Sequence, residues 1–300
     1  MLQMALLFLL MLVSILLAFL VYFAVAKFII GIEDPRIYLS SKTAQLQNVP
    51  MALFANSMIS SVGCFMLPAI LFAAITRIKP AVYLKLTHLF SLKEWLIVTF
   101  LMIFASFFLS MLVEINKAIP LPASLAYLRE AGKESEELIK GFFQGIDSGR
   151  FLLLTISLAV LPAVSEELFF RGALLRIFSG FSHGFLLPIA MSAFVFSVFH
   201  LQFDNMLGIW FMGAVLGCVY WFTQNLWMSI WAHFLNNFSI VVLKSLFLFK
   251  ITSVDISEVE SVPMVVSAIG GAITFGLLFL LYKNYKEQYL FTAENTTTEI

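Results

Sequence analysis

The feature that most restricts this chain is a succession of apolar runs, each able to cross a bilayer as a helix. A hydrocarbon core about 30 Å thick needs about 20 apolar residues of helix. Runs of this kind lie at roughly 2–25, 50–75, 95–112, 151–164, 185–199, 206–222, 226–247 and 263–282. The fifth is short for a span, and the fourth runs into a polar cluster at Ser165. Strands of a membrane barrel would alternate apolar and polar residues over about ten positions, and these runs do not alternate. The expectation is an all-α fold, a polytopic transmembrane bundle of about eight helices.

Composition supports the same class. Of 300 residues, 61% are hydrophobic and 12% charged, against about 25% charged in a soluble domain. The 33 Phe residues exclude a disordered chain, because disorder goes with few aromatics and much charge. Lys and Arg number 18 and Asp and Glu 18, so there is no basic field to hold nucleic acid. The partner to expect is the lipid bilayer. Cys64 and Cys218 both lie in apolar runs and read as small core hydrophobes.

The first run has no Lys or Arg before it and is too long for the core of a signal peptide, so it reads as a retained first span. Two connections are large. Residues 27–49 carry the turn signal Asp34-Pro35, and residues 114–150 hold the densest charge. Within the second, 124–143 reads as an interfacial amphipathic helix. Glu136 and Lys140 are spaced to pair on it, and Leu138, Ile139, Phe142 and Phe143 form its apolar edge. The tail 292–300 is polar and expected to fray. Three regions follow: N-terminal helices and an amphipathic loop over 1–150, a polar-bearing core over 151–240, and a last span with the polar tail over 241–300.

Ionisable groups are costly at membrane depth, so those present are functional candidates. Three clusters interrupt the apolar runs. The first is Ser165-Glu166-Glu167-Leu168-Phe169-Phe170-Arg171-Gly172. On a continuing helix, Glu167 and Arg171 lie one turn apart and can pair, while Glu166 sits about 100° around the axis and faces elsewhere. A carboxylate in a partly dry site suits a general base. The second is His200, which closes the run 194–199. The third is His233 with Asn237, four residues apart and therefore on one helix face. Two polar groups stacked in mid-membrane need partners or a wet cavity. His88 and His183 sit in loops and read as solvated. Neither a zinc-protease HExxH helix nor a GxSxG nucleophile elbow occurs.

Glu166-Glu167-x-x-x-Arg171, Phe196-x-x-x-His200 and His233-x-x-x-Asn237, in that order, resemble the three motifs of the CPBP intramembrane proteases. That family includes the type II CAAX prenyl endopeptidases and the bacterial Abi proteins. The string Glu-Glu-Leu-Phe-Phe-Arg-Gly at 166–172 is similar to the bacterial form of the first motif. The resemblance covers about residues 150–240, and no motif position departs from the pattern.

The resemblance implies a membrane-embedded endopeptidase, with a catalytic cavity among the helices of 150–240 and a membrane-associated peptide or protein as substrate. It assigns Glu166 as general base with His200 as its partner, and His233 and Asn237 as donors to the oxyanion. Glu167 and Arg171 would shape the site through their ion pair. No metal is obligatory on this reading. If one were used, zinc held by Glu166, His200 and His233 is the set to expect. The bacterial likeness implies the bacterial cell (inner) membrane. Two other functions use the same residue types. A proton-coupled transporter needs intramembrane Glu, His and Arg, but no inverted repeat is evident. A non-enzymatic scaffold or immunity protein could keep the fold and the site for binding alone.

Overall fold

The computed structural model describes residues 2–32, 49–76, 78–87, 91–253 and 262–297. The Asp34-Pro35 turn and His88 lie outside the described residues. Every regular element described is helical. Helix α1 is Leu2–Phe28, α2 Met51–Ile75 and α3 Leu92–Lys117. The amphipathic α4 is Tyr127–Phe142. The centre of the chain is α5, Ser148–Ser179, then α6, Leu186–Phe199, α7, Phe203–Thr223, and α8, Leu226–Leu248. The last helix, α9, is Met264–Thr297. Seven helices are long and apolar enough to cross a membrane, with the shorter apolar α6 as an eighth member of the bundle. The protein is an integral membrane protein.

The fourth run does not end in the polar cluster at Ser165. Helix α5 carries through it for 32 residues, with Glu167 and Arg171 of the cluster buried against one another rather than marking a water-facing end. The tail is helical in its backbone as far as Thr297.

Helix starts follow local chemistry. Asp147 accepts a hydrogen bond from Arg150 N at 2.9 Å, opening α5. Asn225 accepts from Trp227 N at 3.0 Å, opening α8. Gln224, at φ +52°, gives the left-handed residue that stops α7 and turns the chain directly into α8. The α6–α7 turn uses the same device at Leu201, also at φ +52° and immediately after His200.

Proline shapes α2 and α5. In each, a widened turn with an i→i−5 bond stands immediately before a proline: Leu67 N to Val62 O before Pro68, and Leu161 N to Ile156 O before Pro162. Proline brings no N–H and crowds the preceding turn, and the wider turn relieves that crowding. Ser157 O, whose i+5 residue is Pro162, is left without a helix donor. The Ser57 hydroxyl of α2 donates to it at 3.0 Å. The backbone defect thereby ties two spans together.

Close approach elsewhere depends on glycine. A Cβ on Gly63 would stand 2.3 Å from Ala18 Cβ, so α1 and α2 touch only because residue 63 is Gly. The amphipathic α4 lies against the bundle through Phe142 and Phe143, and Phe142 meets Phe54 edge to face at 5.4 Å. Its Lys140 pairs with Glu137 at 2.8 Å.

Candidate active site

The site is built on α5 and α8, with α6 and α7 behind it. A third widened turn over 168–174 closes with Leu175 N on Phe170 O. It follows directly on Glu167 and buries the whole segment Leu168–Leu174. Wide turns of this kind recur at functional sites. Phe169 and Phe170 are fully buried and pack with Phe65, Phe196 and Phe199, which keeps lipid and water from the charges between them.

Glu167 is the hub. Its side chain is fully buried, and that of Arg171 is 1% exposed. Arg171 Nη1 donates to Glu167 Oε1 at 2.5 Å, as the one-turn spacing predicts. The Ser229 hydroxyl donates to Glu167 Oε2 at 2.5 Å, and His233 Nδ1 lies 2.8 Å from Glu167 Oε1. A carboxylate oxygen that already accepts from Arg171 can meet that nitrogen only as N–H, so the Nδ1 proton of His233 is fixed in place. Arg171 Nη2 donates to Gly213 O on α7 at 2.9 Å, and its guanidinium lies 4.8 Å from the Phe196 ring centre. The close seat of α7 again needs glycine, since a Cβ on Gly213 would come within 3.1 Å of Ala193.

Glu166 points elsewhere, as its place on the helix predicts. Its Oε2 is buried, has no hydrogen-bond partner, and stands 3.9 Å from His233 Nε2. Arg171 Nε is the other buried atom of the cluster without a partner.

His200 caps α6, with Nδ1 2.8 Å from Phe196 O. Both His200 and His233 pack on the Phe196 ring, at 4.5 and 5.8 Å between centres. Among the described residues no hydrogen bond or ion pair joins His200 to Glu166. Asn237 lies one turn beyond His233 on α8, where its Oδ1 accepts from Asn236 Nδ2 at 3.1 Å. The structure therefore brings Glu166, Glu167, Arg171 and His233 into one cluster and leaves His200 and Asn237 at its margins. The segment after His200 is held from two sides. Buried Asn116 donates to Phe203 O at 2.8 Å and accepts from Leu207 N at 2.7 Å. Arg129 of α4 pairs with Asp204 at 2.9 Å.

Two members of the cluster escaped the sequence reading. Ser229 stands four residues before His233 and extends its polar face, a signal that was available. The Gly213 carbonyl gave none, because every residue carries one. The possible zinc set of Glu166, His200 and His233 does not converge. No three His, Cys, Asp or Glu side chains among the described residues are grouped to hold a metal ion.

The fold and the cluster define a class: a polytopic helical membrane protein with a buried, internally paired acid–base centre on neighbouring spans. Residues 148–239, just under a third of the chain, match the family model of the type II CAAX prenyl endopeptidases, Rce1-like, which supports a likeness to the CPBP/CAAX proteases over that segment. The match supports a membrane-embedded peptidase of the CAAX type. No curated protein and no solved structure matches the chain.

Proposed function

We propose that the chain is an endopeptidase that cleaves a membrane-associated protein or peptide with a water activated by Glu166. The observation that carries this reading is the pairing state of the two adjacent carboxylates. Glu167 is saturated by Arg171, Ser229 and His233, whereas Glu166 Oε2 is unpaired and faces His233 Nε2 across 3.9 Å. At that distance the two groups are not hydrogen-bonded to one another, so Oε2 keeps its acceptor capacity for a water.

In this mechanism Glu166 takes a proton from the attacking water as the water oxygen bonds to the scissile carbonyl carbon. The carbonyl oxygen becomes the oxyanion. His233 and Asn237 supply its donors. Because the Nδ1 proton of His233 is committed to Glu167, the Nε2 atom can donate only when the ring is an imidazolium. Glu166 then returns the proton to the departing amine, which completes hydrolysis. His200 works from the margin through Phe196 or after a rearrangement on substrate binding. Catalytic hydrogen bonds commonly tighten only in that complex.

No step is routed through a metal, since the three expected ligands do not converge. Zinc quantification on active protein tests this choice: stoichiometric zinc required for turnover would defeat it.

An apolar cavity of about 280 Å³ runs beside the cluster, lined by Trp95, Val164, Trp231 and Phe234 among others. It suits an apolar substrate segment or lipid tail entering from the membrane. The bacterial inner membrane is the location we assign. Glu166→Ala, His200→Ala and His233→Ala should each abolish cleavage in protein that still folds, and retained activity in all three would sink the assignment.

A further inference from the structure

At the end of the bundle where α5 and α7 finish, a second polar pocket lies apart from the acid–base cluster. Arg176 is ten residues beyond Glu166, about 15 Å along the helix at 1.5 Å per residue. The pocket encloses about 210 Å³ and is lined by Lys85, Arg176, Ser179, Tyr220 and Gln224, with Tyr285 at its edge.

The donors in it outnumber the acceptors. Lys85 donates to Gln224 Oε1, and Arg176 donates to Tyr83 O. Each of those bonds uses one N–H of a group that has several. The lysine ammonium also lies 5.2 Å from the Tyr220 ring centre, and the arginine lies 4.2 Å from that of Tyr83. Among the described residues no carboxylate pairs with either cation. The Tyr220 side chain is 1% exposed, yet its hydroxyl has no hydrogen-bond partner. Arg176 lies beside that hydroxyl and can only donate to it, so the O–H proton of Tyr220 is left without an acceptor. A buried hydroxyl left unpaired is costly, and two cations with no acid between them repel one another. Favourable contact with the carbonyl ends of α5 and α7 explains a positive charge here. It does not explain a buried hydroxyl without an acceptor.

We propose that this pocket binds a phosphate-type oxyanion, gripped by the Lys85 ammonium, the Arg176 guanidinium and the Tyr220 hydroxyl. All three are donors that meet the acceptor oxygens of such a group, and charge-assisted bonds of this kind are the strong ones. A pocket of about 210 Å³ has room for a phosphate and part of what it is attached to. Lys85 lies in the connection between α2 and α3, outside the spans. Burial and then the Arg176 charge push its ammonium down to about 8, a strain that a bound anion would relieve. The position at helix ends is where the headgroup phosphates of anionic lipids lie.

The test uses full-length protein in a neutral detergent, with thermal shift and native mass spectrometry as readouts. Three probes are titrated: inorganic phosphate, dioctanoyl phosphatidylglycerol and dioctanoylglycerol. Wild type should be stabilised saturably by phosphatidylglycerol or by inorganic phosphate, and not by dioctanoylglycerol. Binding of the lipid alone identifies a headgroup site, and binding of both identifies a site that a free oxyanion can fill. Lys85→Gln and Tyr220→Phe should each weaken binding by about tenfold or more, the usual cost of losing a bond to a charged group. Tyr220→Phe removes a single oxygen, so it stays informative if an Arg176 variant fails to fold. Glu166→Gln should bind as wild type does. The proposal is overturned if wild type ignores both phosphate probes, if dioctanoylglycerol stabilises it equally, or if Lys85→Gln and Tyr220→Phe bind as tightly as wild type.

Discussion

Exchanging Glu166 and Glu167 separately for Gln should split stability from chemistry, although the residues are adjacent in sequence and differ from Gln by one atom. Glu167→Gln leaves the buried Arg171 guanidinium without its carboxylate. It also replaces one acceptor oxygen by an amide donor that faces Arg171, Ser229 or His233. Removing one partner of a buried ion pair costs about 3–5 kcal/mol. At ~1.4 kcal/mol per tenfold, that lowers the ratio of folded to unfolded protein by roughly two to three and a half decades. Glu166→Gln removes no hydrogen bond, because Oε2 has none, so stability should stay within about 1 kcal/mol of wild type. Turnover should nevertheless fall by about 100- to 10,000-fold, the usual worth of a general base. Unfolding in sodium dodecyl sulfate reads the first quantity. Cleavage of a peptide spanning a terminus produced in wild-type membranes reads the second. The reasoning is refuted if Glu166→Gln is as destabilised as Glu167→Gln, or if it cleaves at the wild-type rate.

Two further substitutions probe the support of the site. Ser229→Ala removes a charge-assisted bond to Glu167 Oε2 and should cost about 1.5–3 kcal/mol by the same unfolding titration. Gly213→Ala forces a Cβ against Ala193 and Phe196, at 3.1 and 3.2 Å, and should cost about 1–3 kcal/mol. It should also lower turnover by displacing the carbonyl that holds Arg171, whereas a stable and fully active variant would show that α7 can shift without consequence.

The spans were legible because lipid imposes a simple rule: every backbone group is bonded within its helix and the surface is apolar. Hydropathy alone does not mark the end of α5, since it drops wherever charges occur, whether they meet water or one another. Glu167 and Arg171 meet one another. The cluster was legible where its geometry is helical and local. One-turn spacing predicted the Glu167–Arg171 pair, and the angle between neighbouring residues predicted that Glu166 turns away. It was not legible where contacts cross between helices. That His233 meets Glu167 rather than standing free, and that Ser229 and Gly213 complete the frame, depends on how α5, α7 and α8 are seated. Nor did the motif spacing reveal that His200 turns its Nδ1 to Phe196 O at the start of a left-handed turn.

The central claim is that Glu166 activates water for peptide hydrolysis in the membrane. Its most direct test compares protein termini in membranes from cells carrying wild type and Glu166→Ala at equal abundance. The account predicts new N- or C-termini on one or more membrane-associated proteins in wild type, absent from the variant and restored by the wild-type gene. Identical termini in the two membranes, in cells where the wild-type protein is present and folded, would contradict it.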